Sequence, residues 1–263
     1  MTEPAVAAVA FFTGKDGAYE PGLNARSLQD GGLQSGNALG GLLAHTLLES
    51  GLAENLLLAR FTVDFLGPAS TAPLRADWRR LRDGRRTAVR EGTLKVAERE
   101  VARATALLVR PGDGPPAASF VPPSPPPEGA SPVMPSPQTG LEARLVGRGA
   151  VGGAEPTGRL WVRQLAPIVA GAAPHPLVAA VLAAGLAGAR LAGVGPEVSS
   201  NVDVAIHFVR PARGAWILAE AEALWPGEGG GVVTGQLSDR QGLFAQLCQT
   251  LAGGRAGPTG ARP

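Results

Sequence analysis

The side chains with the richest chemistry are few and scattered. His45, His175 and His207 are the only histidines and Cys248 the only cysteine. Their spacing matches no ligand pattern, so no metal and no other cofactor is expected. A cysteine nucleophile needs a neighbouring base to draw off its proton. No histidine is suitably placed in the sequence, and Cys248 reads as a core residue of an apolar strand. His45 stands beside Leu42 and Leu48 on a helix and reads as a core or boundary residue. His175, between Pro174 and Pro176, reads as loop, and His207 as a strand residue facing solvent or a neighbouring strand. Gly227, Gly229, Gly230 and Gly231 form a turn with no Gly-Lys-Ser/Thr after it, which excludes a P-loop. No Gly-x-Ser-x-Gly elbow is present. Arg79, Arg80, Arg82, Arg85 and Arg86 crowd one turn. Such a cluster attracts phosphate-bearing ligands, although charges on a strand and its turn are ordinarily just solvated.

The chain must supply a scaffold for whatever chemistry remains. Its 263 residues exceed a typical single domain, so two compact units are expected. With 44% apolar and 17% charged residues, the balance is that of a globular protein. A net charge of +2 is too small to imply nucleic acid as partner, despite a pI near 9.2. The lone cysteine fits a reducing compartment, and Met1–Ala10 lacks the basic and apolar regions of a secretory signal, so a cytoplasmic protein is expected. The longest apolar run, Leu177–Leu191, is shorter than the roughly 18–20 residues that span a bilayer. It reads as a buried core helix.

A composition break divides the molecule. Residues 111–140 are packed with proline, glycine, serine and alanine and show no apolar period. We read residues 1–110 as an N-terminal unit, 111–140 as a semi-rigid linker, and 141–263 as a C-terminal unit. Each half shows a helix followed by strands. In the first, Leu39, Leu42, Leu43, Thr46 and Leu47 mark one helix face, with Ser35 or Asn37 as its cap. Strands are expected near 56–66, 74–81, 87–96 and 101–109, with Asp83-Gly84 as a hairpin turn. In the second, the helix over 177–191 precedes strands near 202–209, 216–224, 231–237 and 243–251. The halves align at a constant offset: Phe65, Pro68, Ala69 and Ala102 recur 143 residues later as Phe208, Pro211, Ala212 and Ala245. That is an internal repeat.

Several strings then carry a family resemblance. They are Phe61-Thr-Val-Asp-Phe-Leu-Gly-Pro68, Leu81-Arg-Asp-Gly-Arg-Arg86 and Val101-Ala-Arg-Ala-Thr105 in the first half. In the second they are Asn201-Val-Asp203, His207-Phe-Val-Arg-Pro-Ala-Arg-Gly-Ala-Trp216 and Gln249-Thr-Leu251. The chain resembles the double-hotdog acyl-CoA thioesterases of the thioesterase II type. The resemblance implies an α+β fold, a tandem (double) hotdog with two antiparallel sheets, each wrapping a central helix and joined into one layer.

It also implies a site. A thioester carbonyl needs its developing oxyanion stabilised, and a helix N-terminus offers free N–H groups and a positive dipole end. In the family a His-Gly-Gly-like turn leads into the first helix, and its positions match Ser35, Gly36 and Asn37. The family's water-handling group combines an Asp in the second helix, a Thr or Asn at the head of the next strand, and a Gln on the last strand. The last two match Asn201 and Gln249. The first falls on Gly185 or a neighbour, and residues 178–189 hold no acid. Asp203, two residues after Asn201, is the nearest acid in sequence and would share its sheet face in a regular strand. The expected function is hydrolysis of an acyl-CoA or carrier-bound acyl chain, with catalytic Asn201, Gln249 and Asp203. The missing helix acid leaves two alternatives open: a non-hydrolytic cyclase or dehydratase acting on a polyketide-like intermediate in natural-product biosynthesis, or a catalytically silent binding module. Hotdog sheets associate further within the family, which makes a homodimer an expectation.

Overall fold

Two helices, buried over residues 38–47 and 177–187, set the architecture. In the computed structural model, which describes residues 9–27, 30–51, 56–112, 120–126, 140–148, 157–191, 199–224 and 230–253, these are α1 (Gly36–Glu49) and α2 (Pro176–Leu191). Ser35 starts α1 by accepting a hydrogen bond from the Ala38 N–H at 3.1 Å, which settles the choice of cap between Ser35 and Asn37. Ser35→Ala is expected to cost about 1 kcal/mol of stability, read as a lower midpoint in urea denaturation. The predicted apolar face is buried through Leu39, Leu42, Leu43 and Leu47. The helices lie against each other and run antiparallel, with Asn37 facing Gly185 and Gly41 facing Leu182. Their close approach depends on glycine: a β-carbon on Gly41 would stand 2.9 Å from Ile168 Cδ1 and 3.1 Å from Leu182 Cδ2.

Among the described residues, thirteen strands wrap this pair. They are β1 (Phe12–Lys15), β2 (Ala18–Pro21), β3 (Leu57–Phe65), β4 (Leu74–Asp83), β5 (Thr87–Val96) and β6 (Arg99–Val109). After the proline-rich segment come β7 (Leu141–Arg148), β8 (Thr157–Gln164), β9 (Ser199–Asn201), β10 (Asp203–Phe208), β11 (Trp216–Leu224), β12 (Gly230–Asp239) and β13 (Gly242–Gly253). They form one sheet in the order β1-β2-β4-β5-β6-β3-β10-β13-β12-β11-β8-β7, with β9 paired to β13. The halves therefore join through β3 and β10, whose antiparallel register sets Asp64 opposite Asp203 and Phe61 opposite Ile206. This is the tandem hotdog expected from the sequence. The repeat is real at the level of single pairs: Phe65 faces Ala102 on β3 and β6, and Phe208 faces Ala245 on β10 and β13.

The predicted strands are all present, and β1, β2, β7, β8 and β9 are additional. Within the proline-rich region, residues 120–126 adopt neither helix nor strand. There Phe120 and Val121 lie against Gly242, at the start of β13, where φ is +105° and no side chain would fit. Residues 113–119 and 127–139, like Gly227 and Gly229 of the glycine-rich turn, lie outside the described residues. No helix among the described residues is long and apolar enough to cross a membrane.

Candidate active site

The site begins at the first turn of α1. Ser35 anchors the turn through its own N–H, which donates to Ala25 O at 2.8 Å, while its C=O accepts from Leu39 N–H at 3.1 Å and its hydroxyl caps Ala38. The N–H groups of Gly36 and Asn37 belong to the first turn, where the carbonyls four residues back lie outside the helix and do not receive them. Gly36 also packs under an aromatic wall, since a β-carbon there would lie 3.2 Å from Phe65 Cζ.

The N-terminus of α1 lies over the middle of α2, and three carboxamides converge on one turn there. Gln249, fully buried on β13, donates from Nε2 to Ala184 O. Asn201, at the end of β9, donates from Nδ2 to Gly185 O at 3.1 Å. Asn37 fills the space beside Gly185, where an added β-carbon would fall only 1.8 Å from Asn37 Oδ1. Gln249 Oε1 is buried and has no hydrogen-bond partner. An unsatisfied buried acceptor costs about 1–3 kcal/mol, so it marks a place for a molecule that brings a hydrogen. The structure thus unites Asn201, Gln249, Gly36 and Asn37, with Ser35 as the cap behind them. Sequence reasoning gave Asn37 only a backbone role. The glycine at 185, within an alanine-rich helix, was the signal that something else occupies the place of its side chain.

Asp203 does not join them: its side chain is placed on the other face of the sheet. On β10, Val204 and Ile206 are buried in the core, so Asp203, Ala205 and His207 face away from the helices. Asn201 faces inward although it is only two residues away, because the strand is irregular at Val202. Leu251 pairs with Asn201 but Cys248 with Ala205, so an extra residue sits on the β9–β10 side. The Asp203 carboxylate instead accepts the backbone N–H of Thr250. Cys248 is likewise exposed on the outer face rather than in the core. His207 is exposed between Arg60 and Gln246.

The other two histidines meet at the opposite end of the helix pair. His45 is buried, with Nε2 3.1 Å from Glu49 Oε1. His175 Nδ1 accepts the Leu177 N–H at 3.1 Å, and burial, helped by the nearby His45, holds its pKa below the ordinary range. Tyr19 donates to Glu49 Oε2 at 3.1 Å, and burial together with that carboxylate pushes its pKa up to about 12. The arginine cluster is largely a solvated strand face: Arg79 pairs with Glu91, and Arg80 and Arg90 pair with Asp83. No group of three or more metal-ligating side chains occurs among the described residues.

Comparison with known proteins places the chain in a family. Residues 27–109 match the model for the acyl-CoA thioesterase N-terminal domain, and residues 111–252 the model for the acyl-CoA thioesterase C-terminal domain. The chain belongs to the acyl-CoA thioesterase family, and its class of activity is hydrolysis of acyl thioesters. No curated protein matches the sequence. Among solved structures, a putative thioesterase II from Thermobifida fusca YX is 20% identical with a TM-score of 0.72, over 94% of this chain and 96% of that one. A protein of unknown function with the hotdog fold from Alicyclobacillus acidocaldarius is 18% identical with a TM-score of 0.72, over 96% and 98%. An acyl-CoA thioesterase II from Mycobacterium marinum is 17% identical with a TM-score of 0.66, over 95% and 96%.

Proposed function

We propose that the chain hydrolyses an acyl thioester, of coenzyme A or of a carrier protein, where the N-terminus of α1 meets the middle turn of α2. The observation that carries this reading is the unpartnered, buried Gln249 Oε1, on a side chain whose amide nitrogen holds Ala184 O next to the Gly185 that faces Asn37. A thioester carbonyl oxygen directed at the Gly36 and Asn37 N–H groups gains their hydrogen bonds as its charge develops. A water held by Gln249 attacks the carbonyl carbon. The new C–O bond forms, the C–S bond breaks, one water hydrogen leaves on the thiol sulfur, and the other remains on the acid until it ionises. Asn201 and the donating end of Gln249 fix the geometry by gripping the α2 carbonyls. The match of both halves to the acyl-CoA thioesterase family supports hydrolysis over cyclisation, dehydration or silent binding.

The test is thiol release from acyl-CoAs of graded chain length. Free thiol is expected from at least one of them, and Asp203→Ala, on the outer face, should stay within about twofold of the parent, as surface changes ordinarily do. Silence across the panel and on acyl-carrier substrates would remove the reading.

A further inference from the structure

We infer that the side chain of Asn37, and not only its backbone N–H, is a water-positioning group of this site: its carboxamide oxygen takes one hydrogen of the attacking water while Gln249 Oε1 takes the other. The inference rests on the hydrolytic reading above.

The amide nitrogens of Gln249 and Asn201 are committed to Ala184 O and Gly185 O. What these side chains leave for a ligand is oxygen, and Gln249 Oε1 is buried and unmatched. A site of carboxamide oxygens calls for a small donor with two hydrogens. Water fits, and once both of its hydrogens are held its lone pairs are left for the carbonyl carbon. The N–H groups that receive the carbonyl oxygen belong to the same turn of α1, so Asn37 ties the place of the nucleophile to the place of the oxyanion.

Gly185 stands inside α2 between Ala183-Ala184 and Leu186-Ala187, where glycine costs a helix about 0.5–1 kcal/mol relative to alanine. Alanine is used at its neighbours, yet at this position a β-carbon would fall 1.8 Å from Asn37 Oδ1 and 2.9 Å from its Cγ. At Gly185 the helix forgoes a better residue where Asn37 is seated. Among the described residues no Asp, Glu or His hydrogen-bonds to Asn37, Asn201 or Gln249. Asp203 and Asp64 lie on the outer face, and His45 and His175 lie at the far end of the helix pair. The water is thus placed by neutral groups, and its proton passes to the departing sulfur.

The experiment compares wild type with Asn37→Ala, Asn37→Asp, Gly185→Ala and the double variant Asn37→Ala/Gly185→Ala, by steady-state thiol release from the acyl-CoA that turns over best and by thermal melting. Asn37→Ala keeps the backbone donor, so kcat is expected to fall about tenfold or more, as misplacement of a reacting group does, with KM little changed. Gly185→Ala is expected to melt no lower than wild type, because alanine is the better helix former and the atom it displaces is the end of a movable side chain. Its kcat should nevertheless fall as in Asn37→Ala. Since both changes remove one group, the double variant should be no slower than Asn37→Ala alone. The ratio of Asn37→Asp to wild-type kcat should climb as pH rises through the carboxylate range, because the new side chain ionises into a base. Unchanged kcat in Asn37→Ala, or losses that multiply in the double variant, would overturn the inference. A wild type silent on every thioester would instead remove the hydrolytic reading beneath it.

Discussion

Gln249→Leu is expected to lower kcat for thioester hydrolysis by about 10²–10³-fold, the range found when one preorganised hydrogen-bonding group is deleted from an active site, while leaving the fold intact. Gln249 is fully buried on β13 in the inward row that also holds Ala245, Leu247 and Leu251, so leucine suits its surroundings. The carbonyl it leaves behind, Ala184 O, sits inside α2 and keeps its intrahelical bond. Removing a polar group together with its unsatisfied oxygen is close to neutral for stability, and melting within a few degrees of wild type is the expected control. A catalytic loss with retained melting identifies Oε1 as a working acceptor. Loss of melting with activity per folded molecule preserved would make Gln249 a brace for α2 and would empty the proposed water site. The repeat adds a comparison within the chain: the residue 143 positions earlier is Ala106, and Asn201 likewise corresponds to Leu58. The polar arms occur in one half only, so the two-fold similarity of the fold does not extend to a second copy of this site.

Much of the architecture was legible because burial imposes a period. α1 shows its apolar positions at helical spacing, and β3, β5, β6 and β13 show long alternating or apolar runs that survive into the observed elements. The strands that were missed lack that signal. β1 and β2 have four residues each, too few to establish alternation. β8 buries Leu160, Trp161 and Val162 in succession, so it reads as a short apolar run with no period. At the site, resemblance pointed to Asn201 and Gln249 and the helix position left no acid. It could not reveal the face on which Asp203 sits, because alternation counts residues while the extra residue near Val202 resets the count. Cys248 was misjudged for a related reason: its apolar neighbours Leu247 and Leu251 face inward, and only the parity of β13 sends Cys248 outward. Nor does the sequence show that Asn37 and Gly185 meet, since that contact requires the two helices to be packed antiparallel.

Asp239→Ala is expected to destabilise the fold by about 3 kcal/mol, the low end for breaking a buried ion pair, because its partner retains some contact with solvent. The Asp239 side chain is fully buried and that of Arg210 is 23% exposed. Both carboxylate oxygens receive the guanidinium at 2.7 Å, and the backbone N–H groups of Arg213 and Gln241 add bonds of 2.8 Å. Arg210 also donates to Gly242 O at 2.7 Å. One carboxylate thus ties the loop after β10 to the turn between β12 and β13. Truncation strands a cation and two amides, and a melting temperature lower by about 6–12 °C is expected for a chain of this size. Burial by itself would push the Asp239 carboxyl up. The hydrogen bonds from Arg210, Gln241 and Arg213 and the attraction of the guanidinium outweigh it and hold the group below the ordinary carboxylate range. The unfolded chain binds this proton more readily, so the stabilisation is complete above the unfolded value near 3.9 and is lost as pH falls through the depressed folded value. Asp239→Asn should therefore flatten the acid limb of a stability-against-pH curve and lower its plateau. The double variant Asp239→Ala/Arg210→Met, which leaves no stranded charge, should recover part of the loss. A single-variant cost under about 1 kcal/mol, typical of an exposed pair, would show that solvent reaches this carboxylate and that the loop after β10 is held by other contacts.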